Sequence, residues 1–294
     1  MVVRRPGTAP PAHPRGRAAL VRGAGAAVPA GATAAVADRA VPHRDRGGAT
    51  VTPVLPNELV LSVVVPAFNE AETIEAVLRR LRQVPLRLEV IAVDDASTDG
   101  TGDILDRLAA EGGGLVHKVI RHPTNRGKGA AYRSGVAATT GHVVVAQDAD
   151  LEYDPGELVR LLEPIRDGRA DAVYGSRFQG GARRVLFFWH AVGNRLLTLL
   201  SNMFTNLNLT DMETCYKLVR SDLLKRLPLT SDRFGLEVEL TARLAQARAR
   251  IWELPISYSG RTYAEGKKIT WRDGMAALIH VVRYNLLPPR SRAR

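Results

Sequence analysis

His142-Val143-Val144-Val145-Ala146-Gln147-Asp148-Ala149-Asp150 decides the fold. A continuous apolar, β-branched run of this length reads as a strand buried on both faces. It ends in two carboxylates one residue apart. In extended chain, alternate residues point the same way, so Asp148 and Asp150 share a side. Two hard oxygen ligands at a strand end suit Mg2+ or Mn2+, which also take oxygens from a diphosphate. A solvated pair of loop acids is the plainer reading of an isolated Asp-x-Asp; the buried strand behind this one favours the metal.

Working outward, the same pattern repeats. Residues 59–65 form a β-branched strand that runs into Pro66-Ala67-Phe68-Asn69-Glu70, and residues 88–93 form another that ends at Asp94-Asp95. Strands are also expected over 116–121, 172–175 and 251–258. Helices are expected over 72–83, 104–111, 127–139, 155–167, 186–208, 236–249 and 271–286. In the first of these, Ile74, Val77, Leu78 and Leu81 share one face. Alternating strands and helices predict an α/β fold with a mostly parallel sheet covered by helices. In such sheets ligands sit beyond the carboxyl ends of the strands. Asn69-Glu70, Asp94-Asp95, Asp148/Asp150 and Ser176-Arg177 all fall at those ends.

Each cluster carries a candidate role beside a structural one. Asp94 or Asp95 suits a base N–H or ribose hydroxyl, while Asp, Ser and Thr there equally suit a turn and helix cap. Asn125-Arg126-Gly127-Lys128-Gly129 opens a helix and suits a phosphate, or is structural glycine with surface cations. Its spacing is not that of a P-loop. Arg177 suits a bidentate phosphate contact or a plain ion pair with an acid. The basic stretch 261–268 suits closure over a diphosphate or a solvated turn. The histidines lack metal-ligand spacing, and Cys215, the single cysteine, excludes a disulfide framework and a cysteine metal cage.

Composition sets the outer bounds. The chain has 294 residues, 45% of them hydrophobic, and a net charge of +11. Residues 1–56 hold eight Arg, no Lys and two Asp, and so carry +6 of that charge; they are rich in Ala, Gly and Pro and read as a disordered basic extension. Residues 57–294 are expected to form one domain, with a 57–180 half and a 181–294 half. A basic balance points to nucleic acid, an anionic membrane or a phosphorylated substrate. No basic helix interleaved with aromatics appears, which argues against nucleic acid. No apolar run reaches the ~18 residues that span a bilayer.

Taken together, Val-Val-Pro-Ala-Phe-Asn-Glu (64–70), Val-Asp-Asp-Ala-Ser-Thr-Asp-Gly (93–100), Asn-Arg-Gly-Lys-Gly (125–129), Asp-Ala-Asp-Leu (148–151) and Gly-Ser-Arg-Phe (175–178) resemble the inverting family 2 glycosyltransferases. Among these the sequence is most similar to the dolichol-phosphate mannose synthases and polyprenyl-phosphate glycosyltransferases, over about residues 60–285. The resemblance implies the Rossmann-like nucleotide-diphospho-sugar transferase (GT-A) fold and a divalent metal, Mg2+ or Mn2+. It implies transfer of mannose or glucose from GDP-mannose, UDP-glucose or a similar donor to a polyprenyl or dolichyl phosphate.

By position, the resemblance implies that Pro66, Ala67, Asn69, Glu70, Asp94, Asp95, Lys128, Asp148, Arg261 and Lys268 hold the nucleotide sugar. Asp148, Asp150 and Glu152 would bind the metal. Ser176, Arg177, His190 and Asn194 would face the acceptor phosphate, with Asp150, Arg177 and Asp211 catalytic. His190 and Asn194 stand where relatives have Arg and Ser. A hydroxyl acceptor would need a base, from Asp211 or Glu213.

The 57–180 half is then expected to hold the donor and the 181–294 half the acceptor. The enzyme is expected in the cytoplasm, peripheral on the cytoplasmic membrane face through 186–189 and the terminal helix, or through a separate membrane-anchored partner. A soluble or polysaccharide acceptor, and a non-catalytic nucleotide-sugar-binding regulator, are the competing readings.

Overall fold

A computed structural model describes residues 58–287 except 181, 186, 234 and 263–270. The expected disorder of 1–56 and the expected role of Lys268 lie outside the described residues.

Seven strands form one sheet in the order β3-β2-β1-β4-β6-β5-β7. They are β1 (Val60–Ala67), β2 (Arg87–Asp94), β3 (Lys118–Arg121), β4 (Val143–Ala146), β5 (Ala172–Ser176), β6 (Lys217–Arg220) and β7 (Ile251–Pro255). β1 lies between β2 and β4 and is parallel to both; Val63 stands opposite Val90 on one side and Val145 on the other. The central strands are buried on both faces, as their β-branched runs predict.

β6 departs from the sequence expectation. It runs antiparallel to both β4 and β5. Four residues, Lys-Leu-Val-Arg, with cations at both ends, give neither an apolar run nor an alternation long enough to read. The remaining strands keep one direction, so the carboxyl ends of β1, β2, β4, β5 and β7 share an edge. The chain reverses winding at β1 and β4, the switch point where α/β sheets bind ligands.

The helices are α1 (Ile74–Arg82), α2 (Thr101–Ala110), α3 (Lys128–Ala138), α4 (Leu158–Arg166), α5 (Phe188–Thr205), α6 (Ser221–Leu224), α7 (Leu236–Gln246) and α8 (Trp271–Leu286). α1 buries Ile74, Val77, Leu78 and Leu81, the face expected from spacing. Each such side chain contributes about 1.5–3 kcal/mol on burial. α3 crosses β1 so closely that a Cβ at Gly135 would run into the Val64 side chain. This approach brings the start of α3 to the site edge. α5, α7 and α8 pack on one another, and α7 lies against β5, with Thr241 Oγ1 2.9 Å from Tyr174 OH.

Candidate active site

The site edge is built first by loops clipped to one another. After β1, Asn69 takes a positive φ of 53°. Its side-chain oxygen accepts from Thr98 N at 2.8 Å, and its N–H donates to Ser97 Oγ at 3.0 Å. Glu70 N donates to Thr101 Oγ1 at 2.9 Å. The loops after β1 and β2 therefore form one wall, with Pro66 and Ala67 at the end of β1 beneath it.

Asp94 and Asp95 both point inward. Asp94 Oδ1 accepts from Ser97 N at 2.9 Å. Asp95 Oδ1 lies 2.6 Å from His122 Nδ1, and Asp95 also accepts from Arg126 N at 3.0 Å and Gly127 N at 2.7 Å. These bonds give Asp95 the structural role left open beside nucleoside binding: it holds the Asn125–Gly127 turn that launches α3. His122, itself held by Ser134 at 2.9 Å, is a partner with no signal in the sequence.

The acid loop after β4 meets cations from two directions. Lys128 Nζ lies 2.7 Å from Asp148 Oδ1 and 3.1 Å from Glu237 Oε1 on α7. Burial acts to lower the Lys128 pKa. Asp148, with Glu237 and the neighbouring Cys215, outweighs it and holds the ammonium well above its ordinary value. Arg261 Nη2 reaches Asp150 Oδ2 at 3.1 Å, and its Nη1 lies 3.6 Å from Glu70. Glu152 accepts from Arg261 N at 2.8 Å and from Tyr258 OH at 2.7 Å. Both Glu152 oxygens are thus engaged in holding segment 258–261 beside the acid pair.

The donor set fits a divalent cation shared with a diphosphate. No three His, Cys, Asp or Glu side chains among the described residues form a metal cage. Mg2+ is typically held by one or two carboxylates plus substrate phosphates and water, which Asp148 and Asp150 can match. Burial, then the neighbouring Asp148 and Glu152 charges, push the Asp150 carboxyl up to about 7. That excess of negative charge is what a divalent cation relieves.

Across the edge, β5 presents Ser176 and Arg177. Ser176 Oγ is 2.6 Å from Thr210 Oγ1 and is fully buried. Arg177 makes a bidentate pair with Asp211, at 2.6 Å from Nε and 2.7 Å from Nη2, and its backbone N–H adds a third bond at 3.0 Å. Asn194 Nδ2 on α5 donates to the same carboxylate at 3.3 Å. Glu253 on β7 accepts from the backbone N–H groups of Thr210 and Asp211, both at 3.0 Å from Oε1. The Arg177 guanidinium lies 5.2 Å over the Tyr258 ring. Burial would lower its pKa, but Asp211 holds it well above the ordinary value.

Of the expected acceptor residues, Asn194 therefore joins Arg177 and Asp211, whereas the His190 ring sits 5.2 Å from the Phe187 ring at the start of α5. Beneath the edge lies Glu213, whose Oε1 is buried without a hydrogen-bond partner. Burial, then the Glu237 charge, push its carboxyl up to about 7. Glu237, Glu253 and Tyr258 are missing from the sequence reading. Glu237 left a trace: it is an acid in the first turn of a helix that buries almost all its residues.

A strand-end edge with paired carboxylates, facing cations and a clamped arginine has the make-up that a sugar-nucleotide-dependent transferase needs. Residues 62–227 match the family model described as Glycosyl transferase family 2, and the chain belongs to that family. It is similar to the undecaprenyl-phosphate mannosyltransferase of Micrococcus luteus, 35% identical over 233 residues, which is 76% of this chain and 93% of that one. It is also similar to the polyprenol monophosphomannose synthase of Mycolicibacterium smegmatis, 29% identical over 86% of this chain and 98% of that one. Among solved structures, glucosyl-3-phosphoglycerate synthase of Mycobacterium tuberculosis, in complex with Mn2+, UDP and glucosyl-3-phosphoglycerate, superposes with a TM-score of 0.60. At 22% identity over 79% of this chain and 82% of that one, this likeness shows the fold alone. The chain is a glycosyltransferase with a GT-A-like, mostly parallel sheet.

Proposed function

We propose that this enzyme transfers a hexose, mannose or glucose, from a nucleotide diphosphate sugar to a polyprenyl or dolichyl phosphate, with inversion. The observation that carries this reading is the Arg177–Asp211 clamp. Asp211 spends its oxygens on Arg177 and Asn194. It serves to aim a guanidinium and has little capacity left to take a proton. An acceptor phosphate is already ionised and needs aiming more than deprotonation. The two mannosyl-lipid relatives support the same acceptor class.

On this reading Pro66, Ala67, Asn69 and Glu70 shape the nucleoside pocket, with Asp94 and Asp95 as its inner wall. Asp148 and Asp150 would hold Mg2+ or Mn2+, with Glu152 alongside. When bound, that cation supplies charge neutralisation at the leaving diphosphate. Arg261 stands beside the acid pair, where it turns from carboxylate to diphosphate as the donor arrives. Lys128 fixes Asp148 against α7. Arg177 orients the acceptor oxygen for attack on the anomeric carbon; the new carbon–oxygen bond forms as the bond to the diphosphate breaks. The 57–180 half would hold the donor and the 181–294 half the acceptor. The acceptor's lipid chain places the enzyme at a membrane surface, on the cytoplasmic face that holds the donor. No described helix is long and apolar enough to cross a membrane.

A second reading, transfer to a hydroxyl, is favoured by one observation. The Glu213 carboxyl, near 7 and lacking a partner at one oxygen, has the pKa of a general base. Matched assays with a polyprenyl phosphate and the corresponding polyprenol separate the two. Labelled hexose should enter the phosphate and not the alcohol; equal labelling of both removes the clamp argument.

A further inference from the structure

The two cations that face the acid pair are each held by further carboxylates. Arg261, on Asp150, also lies 3.6 Å from Glu70 and 3.5 Å from Glu152. Lys128, on Asp148 at 2.7 Å, lies 3.1 Å from Glu237 on α7. Lys128 and a divalent cation would draw on the same Asp148 carboxylate, and two cations at that range repel each other. The Lys128 side chain is only 20% exposed, so water and salt screen the repulsion poorly. A second carboxylate on Lys128 neutralises the ammonium and lets both cations share Asp148.

Glu237 is placed to stay ionised. It sits in the first turn of α7, where the helix dipole favours a negative charge. Its Oε1 takes Lys128. Its Oε2 and the Tyr132 hydroxyl are buried and have no hydrogen-bond partner among the described residues. Glu237 and Tyr132 line one small cavity together with Cys215 and Lys217. Its volume of about 10 Å3 is room for a single water, which can donate to Glu237 Oε2 and accept from Tyr132. Lys217, the other cation on the cavity wall, donates to the Thr214 carbonyl.

We infer, on the metal reading of Asp148 and Asp150 above, that Glu237 is a positioning residue that holds and neutralises Lys128 so that Asp148 can take the divalent cation. Glu237 touches neither the cation nor the sugar nucleotide. It acts through Lys128, and its effect depends on the Lys128 charge.

The test is titration of the full chain with Mn2+ alone, read by the loss of the free-ion electron paramagnetic resonance signal. Glu237→Gln keeps the shape and removes the charge. It should weaken Mn2+ binding about tenfold, the size of coupling found within one ion-pair network. Lys128→Met should leave binding equal to wild type or tighter, because it removes the competing cation. Lys128→Met/Glu237→Gln removes both charges and should return binding close to wild type. Thermal melts check that each variant folds. Glu237→Gln that binds Mn2+ like wild type overturns the inference. So does a double variant that binds as weakly as Glu237→Gln, since the loss would then come from disturbed packing. Lys128→Met that weakens binding overturns it whether or not Glu237→Gln folds. Failure of the metal reading looks different: wild type and Asp150→Ala then bind Mn2+ equally. Failure of the Glu237 inference alone leaves that pair apart.

Discussion

Asp211 is a residue whose surroundings define its work. Its bidentate pair with Arg177 fixes a planar cation, which on the proposed function faces the acceptor. Asp211→Asn keeps the shape and removes the charge. It should lower kcat/KM for the acceptor by about a hundredfold, the effect of losing ~2.7 kcal/mol of transition-state stabilisation. KM for the donor should change little, and the pH profile should keep its shape; loss of the acidic limb would instead mark Asp211 as a base. Glu213 gives a second residue-level prediction. Its carboxyl holds a proton up to about 7 in the fold, against an ordinary value of 4.5. The folded state binds more protons between those values, so this group's contribution to stability falls as pH rises through that window. Glu213→Gln should therefore raise Tm relative to wild type above pH 7 and much less near pH 5, as calorimetry across pH would show.

At the scale of elements, the start of α3 carries the heaviest constraint. Gly127 has a φ of +93°, and a Cβ there would meet the Asp232 carbonyl at 2.5 Å and Arg233 at 2.8 Å. The Asp95 carboxylate holds the Gly127 N–H, and the next residue, Lys128, reaches Asp148 and Glu237. Gly127→Ala should cost about 1–3 kcal/mol in denaturant unfolding, from strain at that φ and the backbone clash. It should also weaken donor binding by moving Lys128.

Much of this was legible in the sequence. β1, β2 and β4 stood out as β-branched runs, and α1 matched its expected apolar face residue by residue. β6 did not, because four residues with cations at each end carry no period. α2 begins at Thr101, three residues earlier than expected, because a buried Thr-Gly pair gives no helical signal. At the site, clusters at strand ends were readable because chain order alone puts them on one edge. Which acids pair with which cations was not. Lys128–Glu237, Tyr258–Glu152 and Arg177–Asp211 join residues 34 to 109 positions apart, and only the packed sheet sets those partners.

For the whole molecule, we propose that β4, β5 and α5 join a donor edge to a lipid-phosphate acceptor. The most direct test uses purified enzyme, a panel of labelled GDP- and UDP-hexoses, Mg2+ or Mn2+, and polyprenyl phosphate, followed by partition between organic solvent and water. One donor should give an organic-soluble, acid-labile hexosyl phospholipid. Asp150→Ala should lose nearly all of that product. Label confined to water-soluble product, or full lipid labelling by Asp150→Ala, would contradict the account.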